Sequence, residues 1–350
     1  MNLTSIKLEN FRNHERLDLK LAPITAIIGV NGVGKSNIIE AIALLSSCRS
    51  YREEDKRNMV MEGKTFARIS SGELEIFLQR EPTALLKAKI RGVFKRHSEF
   101  IGTLRSVVFS PETIDLIYGS PKARRRFIDI LISQKDREYL RNLMAYEKVR
   151  KERNSLLQRV AERLAEPSEL DFWDEEFIKY GVQIIEKRLE TILGLNALLS
   201  KNYRCISGNN GDLAEIIYHE STGDRRLPQR IAADRQKEIW AKRSLFGPHR
   251  DDIRFLLNNH EAATYASRGE SKSLVLSLKI AETEILADSD QEKPILLLDD
   301  LFSEFDMIRR EHLMQFATKY QTIITTTDQA LFGGEFQKLI DFVELEKSDG

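Results

Sequence analysis

Apolar and polar residues alternate near both ends of this chain and recur at helical spacing through its middle. Ile6 and Leu8 alternate with polar neighbours, as do Leu17, Leu19 and Leu21, which predicts two half-buried strands. Residues 25–28 form a short apolar run ending at Gly29, the pattern of a buried strand. From Lys35 the period changes, and Ile38, Ile39, Ile42 and Leu45 fall on one face of a helix. Residues 74–78 and 86–93 predict further strands.

Residues 139–164 contain no Gly or Pro, and Leu140, Leu143, Met144, Leu156, Leu157, Val160 and Leu164 mark an apolar face. Glu166-Pro167-Ser168 breaks this helix. Residues 172–199 form a second amphipathic stretch, so the two predict an antiparallel helical hairpin, each arm about 40 Å long at about 1.5 Å per residue. Residues 202–224 are polar and contain Gly, which predicts a loop or boundary. Residues 253–257, Asn258-Asn259 and residues 262–265 read as a β-hairpin, and residues 271–286 as a helix. Residues 295–298, 322–325 and 342–345 are strand candidates. The arrangement is α/β: one lobe built from both ends of the chain, carrying an inserted, mainly helical lobe.

Hydrophobic residues make up 41% of the 350 residues and charged residues 31%, with a formal net charge of zero. A core is expected, and any nucleic-acid binding has to use a local patch. Two cysteines, Cys48 and Cys205, without a CxxC pattern argue against a disulfide framework or zinc site. No apolar run approaches a membrane span and the amino terminus is not a signal peptide, so a soluble, cytoplasmic protein is expected.

Candidate chemistry begins after the first buried strand. Gly29-Val30-Asn31-Gly32-Val33-Gly34-Lys35-Ser36 matches the P-loop pattern GxxxxGK[ST], between a predicted strand and a predicted helix. Glycines let the backbone approach phosphates, and successive N–H groups through Asn37 face them at the helix N-terminus. Lys35 is expected to reach the β- and γ-phosphates of ATP, and Ser36 to give its hydroxyl to Mg²⁺. Residues 295–300, Ile-Leu-Leu-Leu-Asp-Asp, have the Walker B form. Asp299 is expected to hold Mg²⁺ through its waters, and Asp300 to orient the attacking water. Asp is one methylene shorter than Glu, so slow hydrolysis is expected.

Ser267-Arg268-Gly269-Glu270-Ser271-Lys272-Ser273 resembles the ABC signature, S-x-G-[QE], ahead of a predicted helix. In that arrangement Ser267, Gly269 and Glu270 of one subunit meet the γ-phosphate held by another, which requires a homodimer on ATP binding. Ser303-Glu304-Phe305-Asp306 resembles the D-loop. Thr327 stands where many ABC proteins have a switch His and, having no basic group, is at best a hydrogen-bonding sensor. Ser267 lies 232 positions after Lys35, and an insert of this size resembles the SMC-like group rather than transporter ATPases.

Five stretches carry a closer resemblance: residues 7–13 (KLENFRN), 108–112 (VFSPE), 119–127 (GSPKARRRF), 246–252 (FGPHRDD) and 298–306 (LDDLFSEFD). In this order they resemble the RecF family. The resemblance implies an ABC-ATPase-type P-loop head, with a nucleotide-binding lobe over residues 1–110 and 287–350 and a helical lobe over 111–286. It also implies a weak ATPase that binds double-stranded DNA beside single-stranded gaps and acts with RecR and RecO to load RecA in gap repair and the SOS response. Arg12 is expected to approach the phosphates, or to form a surface ion pair.

Residues 121–165 hold thirteen Lys and Arg against six Asp and Glu. Lys122, Arg124, Arg125 and Arg126 lead this segment, and Lys148, Arg150, Lys151 and Arg153 follow. It reads as a DNA-backbone patch or as an ordinary solvated helix face with Arg124 to Arg126 paired to acids. His249 reads as a nucleotide or DNA contact or as a loop brace, and Trp173 and Trp240 as packing residues. A membrane-transporter ATPase, a nuclease-associated ATPase and another SMC-like ABC ATPase are the rival functions.

Overall fold

Alternation at the N-terminus becomes a hairpin in the computed structural model, which describes residues 2–287 and 293–346. Strand β1 (Ser5–Phe11) pairs antiparallel with β2 (His14–Lys20), setting Ile6 opposite Leu19 and Leu8 opposite Leu17. The apolar run forms β3 (Ile24–Ile28), and helix α1 (Lys35–Ser47) follows the glycine-rich loop. Next come β4 (Phe66–Ser71), β5 (Leu74–Gln79), β6 (Leu85–Ile90), β7 (Val93–Lys95) and β8 (Ser106–Phe109). The strand expected over residues 86–93 is two strands. Arg91 and Gly92 take φ of 52° and 76°, a two-residue turn that reverses the chain.

Ser120 caps α2 (Pro121–Lys135), with Pro121 at its first position, and Asp136 caps α3 (Arg137–Ala161). Helix α4 (Leu170–Ser207) is 38 residues long. Within the stretch expected to be a loop lies β9 (Ala214–His219), whose Ile216 faces Phe255. Its six residues, Ala-Glu-Ile-Ile-Tyr-His, do not alternate strictly and stand among polar neighbours. Helix α5 (Leu227–Ala241) and β10 (Asp252–Leu257) follow. Asn258 and Asn259, both at positive φ, turn the chain into the two-residue β11 (His260–Glu261). The expected return strand over 262–265 is a helical turn instead. The chain closes with α6 (Arg268–Leu286), β12 (Ile295–Asp299), α7 (Met307–Ala317), β13 (Thr322–Thr326) and β14 (Asp341–Glu344).

The chain forms two compact units, one of Met1–Thr113, Ile206–Gly208 and Val275–Gly350, the other of Ile114–Cys205 and Asn209–Leu274. Met1, residues 288–292 and residues 347–350, all within the expected nucleotide-binding lobe, lie outside the described residues. The first unit has a six-stranded antiparallel sheet ordered β2-β1-β4-β5-β6-β7 and a five-stranded parallel sheet ordered β14-β3-β13-β12-β8. Helix α1 touches strands of both sheets. That explains why its residues are buried nearly all round rather than along one stripe.

In the second unit α3 and α4 run antiparallel. Arg153 meets Asp174 at 2.6 Å, whereas Lys187 meets Asp136 at 3.8 Å and Arg188 meets Tyr139 at 3.2 Å. Partners rise along one helix as they fall along the other. A small sheet ordered β11-β10-β9 accompanies these helices. No helix among the described residues is long and apolar enough to cross a membrane.

Candidate nucleotide site

The glycine-rich loop joins β3 to α1 in the first unit. Gly32 and Gly34 take φ of 83° and 108°, conformations that L side chains rarely adopt. Gly34 is also tightly enclosed: a Cβ there would lie 2.5 Å from both Asn13 Oδ1 and His14 Nε2. Those two residues hold the loop from below. Asn13 Nδ2 donates to the Val33 carbonyl at 3.0 Å, Asn37 donates to Asn13 Oδ1 at 2.7 Å, and His14 Nε2 meets the Gly34 carbonyl at 3.1 Å. Burial lowers the His14 pKa, which keeps the imidazole neutral with Nε2–H as the donor. The loop's outer turn, Val30, Asn31 and Gly32, stays exposed.

Lys35 is buried, and its ammonium donates to the carbonyls of Gly29 at 2.6 Å and Val30 at 3.0 Å. Burial lowers its pKa, and the nearby Asp300 and Asp299 oppose that shift. Ser36 Oγ donates to Asp299 Oδ1 at 2.7 Å. Parallel pairing sets Asp299, the last residue of β12, beside Thr325 of β13, whose hydroxyl also donates to Oδ1, at 2.8 Å. Tyr51 donates to the other oxygen, Oδ2, at 2.7 Å. Three hydroxyls therefore converge on one carboxylate at the foot of the loop. Asp300 has φ of 48°, and its N–H donates to Thr325 Oγ1 at 3.0 Å. Burial raises the Asp300 pKa, Lys35 opposes this, and Asp299 adds to it.

Arg12 forms a fork to Glu40 of α1 at 2.8 and 2.7 Å and donates to the Asn58 carbonyl at 2.8 Å. Its pairing is thus with a fully buried acid rather than on the surface. A depression of about 500 Å³ opens beside it, lined by Asn13, Asn37, Asn58 and Arg80 among others. Thr327 is exposed, and Thr325, two residues earlier, is the hydroxyl that meets Asp299. Tyr51, Thr325, Asn13 and His14 are absent from any P-loop or Walker pattern. Asn13 ends the stretch 7–13 that carries the family resemblance, and only their neighbourhood in the fold marks the other three.

In the second unit the signature turn caps its own helix. Ser267 N–H donates to Glu270 Oε2 at 2.8 Å while Glu270 N–H donates to Ser267 Oγ at 3.3 Å, a reciprocal capping box. The helix therefore starts at Arg268 rather than Ser271. Ser267, Arg268, Gly269 and Glu270 are all exposed. In the first unit Asp306 caps α7 through the Arg309 N–H at 2.9 Å, and Met307 and Ile308 stand exposed after it.

The basic segment is not exposed as one patch. Arg124 forks onto Asp252 at 2.9 and 3.0 Å, Arg125 donates to the Asp251 carbonyl at 2.6 Å, and Arg150 pairs with Glu147 at 2.6 Å. Arg153, placed in the run by its sequence position, is fully buried and bonded to Asp174, Glu238 and Ser244. Lys148 and Lys151 are exposed, and Arg126 is half-buried. His249 is a brace: Tyr146 donates to Nδ1 at 2.7 Å and Nε2 meets the Ser244 carbonyl at 3.3 Å. Burial and the neighbouring Arg150 push its pKa down to about 3. Trp173 packs on the cluster of Leu156, Leu157, Val160 and Leu170, but Trp240 is 75% exposed and is not a packing residue.

Residues 2–347 match the RecF/RecN/SMC N terminal domain family. The DNA replication and repair protein RecF of Lachnoclostridium phytofermentans is 35% identical over 93% of both chains. That of Bacillus cereus is 34% identical over 100% of this chain and 98% of its own. A solved structure of the recombination mediator protein RecF with ATPrS, of the RecFOR pathway, has a TM-score of 0.87 at 30% identity, covering 99% of this chain and 96% of that one. An Smc head bound to the C-winged helix domain of ScpA has a TM-score of 0.56 at 14% identity and shares the fold alone. Likeness to the RecF proteins at this identity and over nearly the full length shows that the chain belongs to the RecF family.

Proposed function

We propose that this chain is an ATP-dependent DNA-binding protein of recombinational gap repair that closes as a dimer on ATP and hydrolyses it slowly. The observation that carries the reading is the convergence of Ser36, Thr325 and Tyr51 on Asp299 beneath a P-loop whose Lys35 is already drawn inward. A hydroxyl and a carboxylate 2.7 Å apart form a hard oxygen donor pair suited to Mg²⁺, and the glycine cradle leaves room for phosphate against the backbone. When bound, Mg²⁺ neutralises phosphate charge. Ser36 and Asp299 would hold it, Lys35 and the N–H groups from Val30 to Asn37 would bind the phosphates, and Asp300 would orient water. Arg12 would act by fixing α1 beneath the loop.

Ser267, Gly269 and Glu270 are assigned to the nucleotide of a second copy. Their exposure supports this, because a helix start facing solvent can be reached by a partner's phosphate. The RecF relatives are DNA replication and repair proteins, and the solved one is a mediator in the RecFOR pathway. The family resemblance, rather than these names, leads us to assign duplex DNA next to a single-stranded gap, RecR and RecO as partners, and RecA loading as the outcome. Sizing the protein with and without Mg-ATP and duplex DNA tests the reading. Wild type should dimerise with ATP and Lys35→Ala should not; a wild type that stays monomeric in saturating Mg-ATP with DNA overturns it.

A further inference from the structure

Residues 82–98 contain no Asp or Glu, yet they hold Lys87, Lys89, Arg91, Lys95 and Arg96. Residues 85–95 of this stretch fold as the β6–β7 hairpin at the edge of the six-stranded sheet, Arg96 caps the helical turn that follows, and residues 91–96 are all exposed. Lys89 pairs with Glu75 at 2.7 Å and Arg91 with Glu73 at 2.8 Å. The side chains of Lys87, Lys95 and Arg96 form no ion pair among the described residues, and the Arg96 backbone N–H donates to Glu99 Oε2 at 3.1 Å. Phe94, 59% exposed, lies opposite Lys89 in the register, and the ammonium groups of Lys87 and Lys89 sit 5.4 and 5.0 Å from its ring centre. Beside the hairpin, Lys56 and Arg49 act on His97 and add to its burial in lowering the imidazole pKa, so positive potential continues past Arg96.

We propose that the β6–β7 hairpin is a contact edge for the phosphodiester backbone of DNA, through Lys87 on the face it shares with Phe94, Lys95 opposite Ala88 on the other face, and Arg96 beyond it. The proposal rests on the DNA-binding part of the function given above and adds a contact to those on α2 and α3, where Lys148 and Lys151 are exposed. There Arg124, Arg125 and Arg150 already have acceptors, and Arg153 is inside the core. A cation without an ion-pair partner exchanges condensed counterions for phosphate contact without first breaking a bond. Lysines also guard sheet edges against pairing with other strands. That role does not account for Val93 and Phe94, each 59% exposed on the same edge strand, which favour such pairing. It also does not account for the absence of acids, since either sign of charge guards an edge.

The test measures binding of the full chain to labelled duplex and single-stranded oligonucleotides across a salt series in Mg-ATP. For Lys87→Ala/Lys95→Ala/Arg96→Ala the slope of log affinity against log salt on duplex should fall by about 2 to 3, at about 0.9 per phosphate contact. ATP affinity and thermal midpoint should match wild type, and Lys95→Glu alone should weaken binding further than Lys95→Ala. Equal slopes for wild type and the triple variant overturn the proposal while leaving the DNA-binding function intact, as does aggregation of the variant with its DNA affinity unchanged. A wild type that binds neither oligonucleotide overturns both. Phe94→Ala separates the two sources of phosphate. Loss of about fivefold or more on the single strand alone assigns the hairpin to single-stranded DNA through base stacking, and no loss on either assigns it to duplex.

Discussion

Tyr51 donates its phenolic hydrogen to Oδ2 of Asp299 at 2.7 Å, across 248 positions of sequence. Ser36 and Thr325 both use Oδ1, and among the described residues Tyr51 is the hydroxyl that holds the other oxygen. Burial and Asp299 hold the Tyr51 pKa well above its ordinary value, so the hydroxyl stays protonated. Tyr51→Phe removes this donor from a buried carboxylate. A hydrogen bond to a charged group contributes about 1.5–3 kcal/mol, so affinity for Mg-ATP should weaken by about tenfold or more. Titrating Mg²⁺ against a fluorescent ATP analogue measures this, and an unchanged midpoint would show that Asp299 needs no third partner.

Gly34 and Gly32 separate two causes of glycine selection. Both have positive φ, but a Cβ at Gly32 meets nothing within 4 Å, whereas one at Gly34 meets Asn13 and His14 at 2.5 Å. Gly32→Ala should therefore cost only backbone strain, about 1–2 kcal/mol. Gly34→Ala carries the same strain and also displaces the two side chains that bond the loop from below. It should abolish detectable ATP binding, while Gly32→Ala weakens it. Calorimetric ATP titration with denaturant unfolding of each variant distinguishes the two.

The sequence exposes the parts of this fold whose chemistry is local. The P-loop from Gly29 to Ser36, the apolar strand ending at Asp299 and the capped turn at Ser267 are contiguous, and their residue types follow from what a short segment has to do. Tyr51 and Thr325 belong to no such segment. They reach Asp299 because β12 and β13 pair in parallel and because the chain after α1 returns to the same corner. The basic residues illustrate the opposite limit. Net charge along 121–165 cannot tell Lys148, which is exposed, from Arg153, which lies on the same helix but has Asp174 and Glu238 waiting inside the fold. Helical spacing finds a face but not the acids that a distant helix brings to it. Short strands such as β9 fail for a related reason: six residues without strict alternation become legible only when β10 supplies the partner.

His249 should make the second unit sensitive to acid. Its folded pKa is about 3, against about 6.5 for an unperturbed imidazole. A depressed folded pKa means the unfolded chain takes up the proton first. Its contribution is therefore present above about pH 6.5 and is lost as the pH falls toward 3. At about pH 5 the loss is about 2 kcal/mol relative to neutral pH. His14 and His97 are also lowered and act in the same direction, so the comparison is with a variant. His249→Gln should lower stability at neutral pH, because Tyr146 and Ser244 lose their partner geometry, but flatten the pH dependence between about 7 and 5. Urea midpoints for both proteins at each pH check the slope, and parallel curves would remove His249 as its source.

Asp300 joins a backbone requirement to a chemical one. Its φ of 48° is a left-handed conformation in which Asp and Asn are enriched among non-glycine residues, and its N–H is held by Thr325. Asp300→Asn keeps the conformation and the Thr325 bond while removing the charge. ATP binding and the ATP-dependent dimer should persist, and hydrolysis should fall by about 100-fold, the lower end for loss of a general base. Asp300→Glu moves the carboxylate outward by one methylene and loses the short side chain that suits this φ. Stability should drop by about 1 kcal/mol, and turnover should rise if the shorter reach of Asp limits hydrolysis as proposed. Single-turnover hydrolysis and denaturant unfolding read the two effects separately. If Asp300→Glu is slower as well as less stable, the backbone rather than the reach of the side chain fixes the identity of this residue.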